Sequence, residues 1–206
     1  MCESKWLEWA IELQSLAQAG LTYGKDCYDK ERYQRIREIA AEMLTQSSDL
    51  PIEKVKALFC NEIGYQTPKI DTRAAIFKEG KILLVRETNG TWALPGGWCD
   101  VNLSVAENTM KEVKEEAGLD VIVDDVIAIH DRNKHNQPPY AYGICKIFMA
   151  CTVTGGAFRE NIETTACGYF TESHLPPLAQ EKNTVEQIQM CFAAYRAGRQ
   201  WKVAFD

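Results

Sequence analysis

One stretch, LPGGWCDVNLSVAENTMKEVKEEAGL from Leu94 to Leu119, limits the folds open to this chain more than any other. It reads as a strand end, a Gly-rich turn and a helix with signals at both ends. Ser104 followed three residues later by Glu107 forms a capping box, and Gly118 stands where a left-handed residue closes a helix, so the spacing predicts a helix over 105–117. At about 100° per residue, Ala106, Met110, Val113 and Ala117 fall on one apolar stripe. Glu112, Glu115 and Glu116 share another stripe, roughly 130° away. The helix is expected to pack by the first face and to present carboxylates on the second.

Carboxylates crowded into about one turn repel each other by a few tenths of a kcal/mol per pair. A hard divalent cation offsets this: Mg²⁺ accepts a few carboxylates, keeps several waters and bridges to substrate phosphate, and Mn²⁺ suits the same donors. The competing reading is a solvated acidic face laced with Lys111 and Lys114. The neighbouring turn favours the metal, because Gly96 and Gly97 free backbone amides and a carbonyl to approach a phosphate or a cation.

These residues resemble the Nudix box, G-x5-E-x7-R-E-U-x-E-E-x-G-U with U apolar: Gly97, Glu112, Val113, Glu115, Glu116, Gly118 and Leu119 occupy its positions. Two positions depart. Leu103 replaces the first Glu, which in the family supports the site from outside the inner metal shell, and Lys111 replaces Arg, keeping the cation but losing the planar fork. The resemblance implies an α+β fold, a Nudix α/β/α sandwich with a mixed sheet, preceded here by a small helical domain. It also implies a metal held by Gly97, Glu112, Glu115 and Glu116, with these glutamates catalytic.

The composition narrows the partners. A net charge of −6 argues against nucleic acid, whose phosphates are bound by clustered Lys and Arg. No apolar run approaches the ~20 residues of a membrane span, and the start MCESKWLEWA lacks the marks of a signal peptide. Eight cysteines lie scattered without a C-x-x-C pair, which predicts reduced thiols and a cytoplasmic protein. Cys145 and Cys151 sit inside apolar runs and read as small core residues; Cys99, in the glycine turn, is the exception.

Along the chain, residues 1–66 read as a helical domain and 67–206 as the Nudix domain. Trp6, Trp9, Ala10, Leu13, Leu16 and Ala17 recur at helical spacing up to Gly20, and Ile36, Ile39, Ala40, Met43 and Leu44 do so again. A third helix is expected from Pro51 towards Gly64, with Ile52, Val55 and Phe59 on its apolar side. The tryptophan-bearing stripe is too apolar to be left in water, which predicts burial on its own domain, on the main domain or on a second subunit, and with the last a homodimer. After YQTPKIDTR, short apolar runs predict strands at 74–77 and 82–85 across a Glu79-Gly80 turn, then at 92–94, 121–129, 144–153 and 167–170. Thr184 with Gln187 opens a last helix, predicted to turn Val185, Ile188, Phe192 and Tyr195 inward until Gly198.

The segment HDRNKHNQPPY carries Arg132, Lys134 and His135 and is a candidate for phosphate contacts, with Arg73, Arg86, Gly96 and Gly97 completing the expected substrate set. Together with PKIDTRAA and LPPLAQEKNTVEQI it extends the resemblance to the Nudix subgroup that hydrolyses X-linked nucleoside diphosphates. The expected reaction is Mg²⁺-dependent hydrolysis of an ADP-ribose or CDP-choline type substrate to a nucleoside monophosphate and a phosphorylated X. The base is expected to be a box glutamate, or Glu163 or Glu160 outside the box. The alternative is a weakened Nudix-like module that binds a nucleotide and regulates a partner, for which Leu103 is the main argument.

Overall fold

The computed structural model describes residues 2–46, 53, 55, 56, 60 and 62–206. They form two compact units, Met1–Pro68 with Tyr140–Gly143, and Lys69–Pro139 with Ile144–Asp206.

In the first unit, α1 (Cys2–Tyr23) and α2 (Cys27–Gln46) pack against each other. The seam is made of small residues: Ala10, Ala17, Ala40 and Ala41 are fully buried, with Leu44 and Val55 beside them. Gln14 and Gln18 are buried too, and bond to each other at 3.2 Å, which satisfies amides that would otherwise be costly there. The expected stripe is therefore divided between this seam and the outer surface. Trp6, Trp9 and Leu16 are 47%, 48% and 58% exposed, and the two indoles meet edge to face at 5.5 Å on the outer surface. Helical period alone cannot say which of two apolar edges meets the neighbour. Ile52 and Phe59 of the expected third helix lie outside the described residues.

The second unit is a mixed sheet of β1 (Lys69–Lys78), β2 (Lys81–Glu87), β3 (Trp92–Ala93), β4 (Leu119–Asp131), β5 (Ile144–Gly156), β6 (Thr164–Phe170) and β7 (Ala204–Phe205). Its order is β3-β2-β1-β5-β4-β7, with β6 paired to β2. β1 runs parallel to β5, from Lys69 opposite Ile144 to Ile76 opposite Cys151, and antiparallel to β2 at its far end. Glu79 and Gly80, both at positive φ, make the turn between β1 and β2. The two-residue β7 falls below what alternation can reveal.

Two helices cover the faces, which is why the strands read as continuous apolar runs. Side chains alternate along β1, so Ala74 and Ile76 join Val113 and Ala117 of α3 (Val105–Ala117), while Ala75 joins Ile188, Cys191 and Phe192 of α5 (Val185–Ala197); between them in sequence lies the one-turn α4 (Arg132–His135). Each buried Leu, Ile or Phe contributes about 1.5–3 kcal/mol. Both predicted capping boxes are present: Ser104 accepts from the Glu107 amide, Thr184 from that of Gln187. On α5 the inward stripe differs from expectation, since Val185 is 37% and Tyr195 49% exposed; Tyr195 instead stacks on Phe77 at 4.2 Å. The observed architecture is the expected α/β/α sandwich with a mixed sheet.

Candidate active site

Beyond β3 the chain lies down along the first half of β1. The Thr72 amide donates to the Gly97 carbonyl at 2.9 Å, the Ala74 amide to Pro95 at 2.8 Å, and the Cys99 amide to Ile70 at 2.9 Å. The turn is thus held as though it were one more strand. Gly96 sits at φ +144, and a Cβ there would collide with the Thr72 carbonyl, so only glycine fits. Gly97 serves another purpose: a Cβ there would lie 2.6 Å from Glu112 Oε2.

Helix α3 brings its carboxylates to this turn. Glu116 is 6% exposed, and its Oε2 accepts the Gly96 amide hydrogen at 2.8 Å. Glu112 turns Oε2 toward Gly97, while its Oε1 is 3.2 Å from the Lys111 ammonium. Lys111 also reaches Glu115 Oε2 at 3.0 Å, an i to i+4 contact, and Asp100 Oδ2 at 3.4 Å. Glu115 is exposed.

Burial dominates the electrostatics. It raises the Glu116 carboxyl to about 7, against the opposing Arg73 charge and Gly96 amide. Burial also raises Glu112, with Lys111 pulling the other way. Lys111 is pushed well above the ordinary amine range by Glu115 and Glu112. A folded-state pKa raised from about 4.5 to about 7 means that the native protein binds more protons than the unfolded chain in that window, so stability falls as pH rises through it. Between pH 5 and 8 the metal-free protein is expected to lose on the order of 3 kcal/mol relative to Glu116→Gln. Denaturant unfolding of both proteins at the two pH values measures this, and parallel pH profiles would refute it.

The site residues expected elsewhere are placed differently. Arg73 is 5% exposed and engaged by protein groups: Nη2 meets Asp71 Oδ1 at 2.7 Å, Nε meets Oδ2 at 3.1 Å, and Nη1 donates to the Leu94 carbonyl at 3.3 Å. It anchors the start of the glycine turn. Arg132 is 1% exposed and donates to the carbonyls of Pro138 and Glu181. Lys146 donates to the Lys182 carbonyl, Asn136 to that of Gln180 at 2.8 Å; three successive carbonyls are thus held from beneath. Burial and the neighbouring Arg73 and Arg132 hold the Lys146 amine down to about 7. His135 bonds Asp206 Oδ1 at 2.8 Å and stacks on His130. Arg86 is exposed, and its Nε donates to the Gly90 carbonyl at 3.5 Å. Glu163 is exposed on a turn fastened to the end of α3, where Asn161 donates to the Glu115 carbonyl at 2.9 Å and Thr164 to that of Glu116 at 2.6 Å.

Sequence reasoning passed over Asp71, Asp100 and Asn108. Asp71 was legible, since a spacing of two on a strand puts it on the same face as Arg73. Asn108 is fully buried in the helix, accepting the Asp100 amide at 3.1 Å and donating to Thr72 Oγ1 at 3.0 Å; nothing in its local sequence marks it.

No three His, Cys, Asp or Glu side chains among the described residues already converge on one point. The donor chemistry nonetheless fits a hard divalent cation. All donors are oxygens, two of the carboxylates are desolvated without enough positive charge to restore their ordinary pKa, and the missing Gly97 side chain leaves room beside Glu112 Oε2.

The family model described as NUDIX domain matches residues 68–188, and one described as UDP-X-like, N-terminal oligomerisation domain matches residues 4–59. A curated relative, the putative ADP-ribose pyrophosphatase YjhB of Bacillus subtilis, is 46% identical over 191 residues, covering 92% of each chain. Among solved structures, an ADP-ribose pyrophosphatase from Streptococcus suis is 53% identical with a TM-score of 0.63, spanning 68% of this chain and all of its own. A UDP-X diphosphatase is 34% identical with a TM-score of 0.64 over the full length of both chains.

Proposed function

Because this chain belongs to the Nudix family and is a hydrolase of diphosphate bonds, we propose that its substrate is a nucleoside diphosphate joined to another moiety, of the ADP-ribose or CDP-choline type. The observation that carries this reading is the meeting of α3 with the glycine turn: Glu116 on the Gly96 amide, and Glu112 Oε2 facing the missing side chain of Gly97.

Glu112, Glu115, Glu116 and the Gly97 carbonyl, which keeps a second lone pair beyond its bond to Thr72, would hold Mg²⁺ or Mn²⁺. When bound, that cation would neutralise the diphosphate and lower the pKa of the attacking water. The residues themselves set the geometry. The Gly96 amide fixes Glu116, Lys111 bridges Glu112 and Glu115, and Arg73 secures the turn that carries both glycines. Water adds across the anhydride, one P–O bond breaks, and a nucleoside monophosphate and a phosphorylated X leave. A carboxylate takes the proton: a box glutamate or Glu163, whose turn is tied to the helix end. Arg86 offers its guanidinium to the substrate; Arg132 and His135 act by shaping the loop and helix start next to it.

A panel of ADP-ribose, CDP-choline and UDP-sugars with Mg²⁺ or Mn²⁺, assayed for released monophosphate, tests the reading. Micromolar binding of one member without hydrolysis at saturating metal would replace it with a nucleotide-binding module.

The first unit is proposed to form a homodimer through the outer face of α1. The matched oligomerisation model and the exposed Trp6, Trp9 and Leu16 support this. Light scattering at micromolar concentration is expected to give twice the chain mass, and Trp6→Lys with Trp9→Lys the single-chain mass. A fully active monomer would refute it. The free thiols of Cys27, Cys60, Cys99, Cys145, Cys151, Cys167 and Cys191 support a reducing, cytoplasmic setting. No helix among the described residues is long and apolar enough to cross a membrane.

A further inference from the structure

The chain lacks the first carboxylate of the box, since Leu103 stands there, yet a carboxylate still reaches the cation that follows in the box. Asp100 Oδ2 lies 3.4 Å from the Lys111 ammonium, which lies 3.2 Å from Glu112 Oε1 and 3.0 Å from Glu115 Oε2. Asp100 is placed by buried groups. Its amide donates to Asn108 Oδ1, the Asn108 amide group donates to Thr72 Oγ1, and the Thr72 amide donates to the Gly97 carbonyl. The contacts close a ring: Gly97, Thr72, Asn108, Asp100, Lys111, and Glu112, whose Oε2 faces Gly97 again.

We propose that Asp100 is a positioning residue that takes over the part of the carboxylate missing at position 103, holding Lys111 so that Glu112 keeps Oε1 on the ammonium and Oε2 toward Gly97. The inference rests on the metal reading of Glu112, Glu115 and Glu116 given above. Side chains 36% and 52% exposed make an ion pair of little worth to stability, so its effect lies in where it puts Lys111. Without Asp100 the flexible lysine, which lacks the fork of an arginine, has two glutamates to choose between and no third point to fix it. Asp100 does not touch the metal; it acts through Lys111.

The test is a double-mutant cycle read by Mn²⁺ binding, followed by electron paramagnetic resonance, in the full-length protein. Groups outside the metal shell typically change affinity 10- to 100-fold. Asp100→Asn is expected to raise the Mn²⁺ Kd about tenfold, and Asp100→Glu to restore it to within about threefold of the wild type. Asp100→Asn combined with Lys111→Met is expected to bind no more than about twofold worse than Lys111→Met alone, because the first acts through the second. A Kd for Asp100→Asn within twofold of the wild type, or effects of the two changes that multiply, would overturn the proposal. A second readout needs no metal. The order parameter of the Lys111 ammonium, from ¹⁵N relaxation of the metal-free protein, is expected to fall in Asp100→Asn, and an unchanged value would also overturn it. Failure of wild-type protein to bind Mn²⁺ better than Glu116→Gln would instead remove the metal reading, leaving the ammonium measurement to decide whether Asp100 fixes Lys111.

Discussion

Replacing Glu116 by glutamine is expected to lower kcat/KM for the best nucleoside diphosphate derivative by at least about a hundredfold, with the fold intact. Glutamine matches glutamate in size and keeps a carbonyl oxygen to accept the Gly96 amide, so the turn stays in place. What disappears is the negative charge. In the metal-free protein that charge is a burden, because Glu116 is buried and its carboxyl is raised to about 7. The variant should therefore be at least as stable as the wild type above pH 7 while losing its affinity for the cation. Activity within about fivefold of the wild type, with the same dependence on Mg²⁺, would show that Glu116 does not hold the metal.

The two glycines are expected to fail in different ways when each becomes alanine. At Gly96 the new Cβ meets backbone, the Thr72 carbonyl, at a φ of +144 that alanine rarely adopts. Neither problem is solved by moving a side chain, so the cost should be about 3 kcal/mol or more. A fall in Tm of about 6–12 °C corresponds to that for a domain of this size. At Gly97 the new Cβ meets Glu112 Oε2 at 2.6 Å, the far end of a side chain that can swing away. Stability should hardly change. Activity should fall about a hundredfold, the usual cost of displacing a catalytic group by about 1 Å. Melting curves and kinetics on both variants test the contrast, and equal losses of stability would contradict the separate jobs assigned to the two glycines.

Much of this arrangement is legible in the sequence. The capping box at Ser104 and the left-handed Gly118 fix the ends of the metal-side helix by local chemistry alone, and both are present. The Glu79-Gly80 turn and the apolar runs located the strands, because a sheet covered on both faces leaves few polar interruptions. The failures share a cause. Periodicity finds a stripe without saying what meets it: alanines form the seam between the two helices, while Trp6 and Trp9 lie on the outer surface. Charge type likewise says nothing about direction: Arg73 and Arg132 read as ligands for phosphate, yet their donors are taken by Asp71 and by carbonyls. Asp100 was hidden because its meaning depends on Asn108 and Thr72, residues that fold to it from other elements.

The docking of the glycine turn along β1 has a further consequence. Three sheet-like hydrogen bonds from Thr72, Ala74 and Cys99 tie residues 95–99 to a central strand, so the turn cannot open without breaking part of the sheet. The amides of Thr72, Ala74 and Cys99 should exchange with solvent at rates near those of global unfolding. The conformational entropy of ordering these residues is then spent once, when the domain folds, and not again with each substrate that arrives.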